Sequence, residues 1–265
     1  MSAVSPVHLY CFPYAGATSA IYRPWRAVGP AGLRVVGVDL PGRGARRAEQ
    51  RVTDYRALVA ALADSVVTDL RQASDRPRYA TFGHSFGALV SLAVADAVAR
   101  EVGYPPLRSV LSASLPPRLH STEDEVAALG DAELLDKIRA DGGTAPELLA
   151  NEAMAGYLIR LMREDHAVRA QFPLDRTLLV PFPLTTVAAR DDRYVTPRQM
   201  RLWAEHTTAP VDQVEITGGH FAAFRDPAAT LVLVHAELCP PADATGADPG
   251  DATGADPGDP LATRR

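Results

Sequence analysis

The sequence predicts an α/β fold, a mostly parallel central sheet with helices on both faces and a helical insertion. Three observations carry this. Short β-rich runs alternate with longer helical runs along most of the chain. The pentapeptide Gly83-His84-Ser85-Phe86-Gly87 joins an apolar run, Tyr79-Ala80-Thr81-Phe82, to a helix-forming one at 88–95. Between 115 and about 172 the apolar spacing is helical and no strand is legible.

Each element has its own warrant. Residues 7–12 and 34–38 are apolar, β-branched runs and read as strands. The stretch 53–72 reads as a helix, because Val59, Leu62, Ala63, Val66, Val67 and Leu70 recur at three and four, with Thr53 as its N-cap. After the pentapeptide and its helix, 109–114 is the next strand. Inside the insertion, Thr122 with Glu125 reads as a capping box opening a short helix. Asp131 caps the next, which carries Leu134, Leu135 and Ile138, and Gly142-Gly143 interrupts it. Met154, Tyr157, Leu158, Leu161 and Met162 form a further stripe, read as packing rather than substrate contact. The insertion suits a lid over the active site, or else a layer packed permanently on the core. Strands at 183–189 and 212–216 and a helix at 227–238 complete the alternation.

Composition bounds the rest. A chain of 265 residues that is 47% hydrophobic can bury a sizeable core. A net charge of −5, with no Lys/Arg block, argues against nucleic acid as partner. Cys11 and Cys239 lie far apart and read as two thiols, which suits a reducing cytoplasmic setting. No apolar run is long enough to span a bilayer, and 1–6 lacks the pattern of a secretory signal. The expected organisation is one domain over 1–240, with the lid at about 115–172. A disordered tail rich in Gly, Pro, Ala and Asp would follow at 241–265, where 243–250 is repeated letter for letter as 251–258.

A strand, a Gly-flanked serine and a helix make the nucleophile elbow of an α/β-hydrolase. A serine hydroxyl needs a base to take its proton, and the base needs a carboxylate to orient it. In this fold they follow the serine in the order acid, then histidine. Of seven histidines, His220 is selected, because it follows a strand and the turn Gly218-Gly219. His206 and His235 read as ordinary surface or half-buried residues, His166 lies in the insertion, and His8 and His120 lack supporting context. His84 occupies the variable slot of the elbow and would buttress the turn. Asp191 and Asp192 are adjacent after the strand at 183–189. Asp192 is favoured because Asp192-Arg193-Tyr194-Val195 matches an Asp-x-x-Val loop. Asp39 and Asp226 read as structural. Two N–H donors must meet the oxyanion: the backbone of Phe86, and one from Pro13-Tyr14-Ala15-Gly16-Ala17, with Ala15 first and Tyr14 second.

Further motifs surround this set: Cys11-Phe12-Pro13-Tyr14-Ala15-Gly16, Leu40-Pro41-Gly42-Arg43-Gly44, Asp131-Ala132-Glu133-Leu134-Leu135, Gly142-Gly143-Thr144-Ala145-Pro146-Glu147, and Gly218-Gly219-His220-Phe221. From about 7 to 238 the chain resembles a type II thioesterase, the stand-alone editing enzyme of polyketide and nonribosomal peptide assembly lines. Departures occur at Ala17, at Ala188-Ala189, at 168–172, and at Ala222-Ala223 after Phe221. They touch the pocket and insertion, not Ser85, Asp192 or His220. The resemblance implies a substrate that is an acyl thioester on the phosphopantetheine arm of a carrier protein. It also implies an acyl-enzyme on Ser85, no metal or organic cofactor, and a cytoplasmic monomer with no membrane partner. A thiol leaving group, with a pKa of about 8.5, departs with little protonation. Arg43, Arg46 and Arg47 would meet an acidic carrier or its phosphate, or form a solvated loop. The same motifs leave three rivals open: a carboxylesterase or lipase, a product-releasing thioesterase or acyltransferase, and a non-catalytic binding module.

Overall fold

The computed structural model of the chain describes residues 5–73 and 76–238. The proposed tail at 241–265 and Cys239 lie outside them. Six strands, β1 (Val7–Phe12), β2 (Leu33–Gly37), β3 (Tyr79–His84), β4 (Ser109–Ser112), β5 (Leu184–Ala189) and β6 (Val211–Ile216), form one sheet in the order β2-β1-β3-β4-β5-β6. Every pairing in it is parallel. β1, β3, β4 and β5 are buried along their whole length, so both faces are covered, and the polar residues among them, such as Thr81 and Ser109, are buried too. The edge strand β6 is half-buried, with Asp212 and Glu215 exposed.

Helices cover the two faces. On one lie α2 (Tyr55–Ala73) and α3 (Phe86–Val102), whose buried stripes share a core with Tyr10, Phe12, Leu111 and Leu184 of the sheet. On the other, α1 (Arg23–Val28) packs Trp25 with Leu9, Cys11, Phe82 and the last helix. The Asp54 side chain, not that of Thr53, caps α2 by accepting from Ala57 N at 2.8 Å. The Cys11 thiol is free and buried, and burial pushes its pKa up.

The insertion follows β4. It holds α4 (Asp131–Asp141), the short α5 (Pro146–Leu149) and α6 (Glu152–Arg169). It has a small core of its own, Val126, Leu134, Ile138, Leu149 and Ile159, apart from the two main ones. The helix expected from Thr122 and Glu125 is absent. There Glu123 N donates to Ser121 Oγ and Val126 N to Asp124 Oδ1, local bonds that compete with helix formation, and Glu125 reaches Arg169 at 3.4 Å. The cap position of α4 is Gly130, whose N–H the Glu133 carboxylate accepts at 2.8 Å; Asp131 is the first helical residue. After β5 come the short α7 (Pro197–Met200), then β6, the short α8 (Ala222–Arg225) and α9 (Pro227–Leu238). Among the described residues no helix is long and apolar enough to cross a membrane.

Candidate active site

The sheet brings the ends of β1, β3, β4, β5 and β6 to one edge, and the predicted residues stand on the loops there. Ser85 turns the chain from β3 into α3. Its φ of 53° and ψ of −119° are rare for a residue with a side chain. Ser85 N donates to Ser112 O at 2.8 Å, and Ser85 O accepts from Ala88 N at 2.9 Å, so bonds on both sides hold the turn. The flanking glycines are required by contact. A Cβ on Gly83 would meet the Gly87 carbonyl, and one on Gly87 would meet the Phe12 carbonyl.

His220 Nδ1 lies 2.8 Å from Asp192 Oδ2. The other Asp192 oxygen accepts from Tyr194 N at 2.8 Å and Val195 N at 3.2 Å, so the carboxylate is held on both sides while 6% exposed. Asp191 points elsewhere and accepts from Gly218 N at 3.2 Å, tying the β5 loop to the β6 loop. The His220 ring is clamped edge-on by Tyr194 and Phe221, with centroids 5.1 and 5.0 Å away. Ser85 and His220 line the same cavity, though they make no hydrogen bond to each other here. Such bonds often tighten only when substrate binds.

Behind the elbow, His84 is buried with Nδ1 3.0 Å from Ser112 Oγ, and its ring packs on Tyr14, Phe224 and His220. Burial and the neighbouring His220 hold its pKa well below the usual histidine value, so it stays neutral and buttresses the turn.

The loop after β1 makes a turn in which Ala17 N donates to Tyr14 O at 3.1 Å and Gly16 takes φ +78°. Gly16 N donates to Asp165 Oδ2 of α6 at 2.7 Å. The same carboxylate takes both Nη groups of Arg43, the first at 2.7 Å. Arg43 is therefore buried in an ion pair, not free to meet a carrier or its phosphate as the sequence had left open. Arg46 pairs with Glu49 at 2.7 Å. Burial pushes the Asp165 carboxyl above its ordinary value, against the pull of Arg43. Neither Ala15 N–H nor Phe86 N–H donates to any group among the described residues, and both residues line the cavity with Ser85.

The cavity has a volume of about 340 Å³. The insertion roofs it. Tyr14 OH donates to Gly143 O at 2.6 Å, Arg193 reaches Asp141 at 3.1 Å, and Tyr194 OH also donates to Asp141. His120, His166 and Met162 line this cavity. Sequence reading assigned His120 and His166 no role and placed Met162 in a packing stripe, since no local pattern marks a residue that reaches the site from the insertion. His206, expected at the surface or half-buried, is fully buried and bonds Leu178 O at 2.8 Å.

A thioesterase-domain family model matches residues 7–238. The chain belongs to the thioesterase family. This thioesterase is 31% identical over 241 residues to a Brevibacillus parabrevis protein named linear gramicidin dehydrogenase LgrE, across 90% of each chain. Its fold matches the RedJ thioesterase of the prodiginine pathway of Streptomyces coelicolor with TM-score 0.75 and 31% identity, covering 88% of this chain and 90% of that one. It matches the type II thioesterase BorB of the borrelidin cluster with TM-score 0.75 and 28% identity, covering 89% and 94%. The α/β-hydrolase fold and the likeness to type II thioesterases, both read from the motifs, are borne out.

Proposed function

We propose that this thioesterase hydrolyses acyl thioesters from the phosphopantetheine arm of a carrier protein in polyketide or nonribosomal peptide assembly. The observation that carries the reading is the convergence of Ser85, at a strained elbow, with a His220 oriented by Asp192, in one roofed cavity. His220 takes the Ser85 proton through Nε2, and Oγ attacks the thioester carbonyl. The C–S bond breaks, the thiol leaves with the proton, and the acyl group stays on Oγ. Water then attacks, gives its proton to His220, and the free acid departs as Ser85 recovers the proton. The N–H groups of Phe86 and Ala15 receive the oxyanion. The insertion serves as the lid. The setting is cytoplasmic, the partner an acyl- or peptidyl-carrier protein, and the enzyme a monomer.

One relative is named for a dehydrogenase. After β1 this chain reads Pro13-Tyr14-Ala15-Gly16-Ala17, without the Gly-x-Gly-x-x-Gly of a dinucleotide fold, and the cavity chemistry favours hydrolysis.

The test is hydrolysis of acyl-loaded carrier protein beside simple aryl esters. The expected result is release of free acid from the carrier thioester, lost in Ser85→Ala while the circular dichroism spectrum is kept. Aryl esters turning over orders of magnitude faster, or full activity in Ser85→Ala, would overturn the proposal.

A further inference from the structure

The cavity above Ser85 is not lined as an alkyl slot. Close to the nucleophile it is apolar, with Phe86 stacked at 5.5 Å on Phe172. Beyond Phe172 the lining turns polar. The His120 ring stands edge-on to Phe172 at 5.4 Å, and His166 enters from α6. These two differ in one respect. His120 is fully engaged: Nε2 donates to Leu115 O at 3.0 Å, and Nδ1 accepts from Arg169 Nε at 3.4 Å. His166 is 8% exposed and lines the cavity, and its ring makes no hydrogen bond to any group among the described residues.

A ring nitrogen that meets the cavity rather than a protein group is left for whatever fills the cavity to bond. Burial lowers the pKa of His166 to about 4, so near neutrality its ring carries one donor and one acceptor and no charge. The charged groups of the lining offset one another. Arg169 pairs with Glu125 at 3.4 Å and Lys137 with Asp141 at 3.1 Å, which leaves no lone charge for a carboxylate or ammonium.

Resting on the function proposed above, we infer that the buried end of this cavity receives an acyl chain bearing a hydroxyl or amide group, and that His166 hydrogen-bonds that group. The side chains of Glu125 and Lys137, 61% and 33% exposed, mark the open rim through which the arm enters. The acyl group is thereby directed towards Phe172, His120 and His166. A bare alkyl chain in that position strips water from His166 and returns nothing; a hydroxylated chain restores the bond.

The experiment compares matched N-acetylcysteamine thioesters, butyryl against 3-hydroxybutyryl and hexanoyl against 5-hydroxyhexanoyl, on the wild type, His166→Leu and His166→Asn. In the wild type, kcat/KM should favour the hydroxylated member of at least one pair by roughly five- to tenfold. His166→Leu should erase or reverse that preference, and His166→Asn should keep part of it. Plain alkyl chains preferred in both pairs by the wild type would overturn the inference, and that comparison needs no variant. Equal slowing of all four substrates in His166→Leu would also overturn it, since the ring would then serve the arm or the fold. Failure of the folded wild type to cleave any acyl thioester, carrier-bound ones included, would instead sink the thioesterase proposal and this one with it.

Discussion

Two adjacent aspartates show how much one residue's placement decides. Asp192 Oδ2 is 2.8 Å from His220 Nδ1, while Asp191 bonds the backbone of Gly218. On the mechanism proposed above, Asp192→Asn should lower kcat by about 10⁴-fold, the loss expected when an orienting carboxylate is removed. Asp191→Asn should change it by no more than a few-fold; steady-state kinetics on the pair would reveal an exchange of roles if the losses were inverted. Asp165 is the second case. It anchors Gly16 N, next to the Ala15 N–H proposed for the oxyanion, and it holds Arg43. Losing Asp165 leaves buried Arg43 with only Glu164, at 3.9 Å, to offset its charge, which should cost about 3 kcal/mol of stability. Asp165→Asn should also depress kcat at nearly constant KM, because the loop that carries Ala15 loses its tether. A folded variant with unchanged kcat would separate the ion pair from the chemistry.

Among the elements, the elbow was the most legible from sequence, because its glycines answer to contact rather than to preference. A methyl group on Gly87 would meet a carbonyl of β1, a rigid obstacle. Gly87→Ala should consequently give protein that is insoluble or melts far below the wild type, and a melting curve unmoved by the change would refute the contact argument. Helix starts were less legible. Asp54 rather than Thr53 and Gly130 rather than Asp131 take the cap positions, and Thr122 with Glu125 caps no helix at all. Side-chain oxygens that satisfy nearby N–H groups can support a helix or a turn equally well, and at 121–126 Ser121 and Asp124 chose turns. Packing of the helix, not the cap, breaks that tie.

At the scale of the molecule, the insertion has its own core and is fastened to the loops around Ser85 through Gly16, Tyr14, Arg193 and Tyr194. Its buried histidines make it acid-sensitive. Burial lowers His120 and His166 from 6.5 to about 4. Between those values the unfolded chain holds protons that the folded chain does not, so lowering the pH favours unfolding. The stability contributed by their neutral burial is complete above pH 6.5 and lost as the pH falls towards about 4. Urea midpoints followed across this window should fall more steeply in the wild type than in a His120→Gln, His166→Gln double variant. Parallel curves would show that the two rings do not govern the acid limit.

The reaction class was written in the chain itself. Local chemistry specifies the strand, the glycine pair and the helix around Ser85, and chain order selects His220 and the acidic pair after β5. Those features depend on neighbours within a few residues, which a sequence displays directly. Only the tertiary structure decided that Asp192 rather than Asp191 meets His220, and that Arg43 is spent on Asp165 rather than left for a partner. It also brought His120 and His166 to the cavity. These outcomes depend on groups brought together from distant elements, Arg43 and Asp165 being 122 residues apart, and packing alone sets which of them meet.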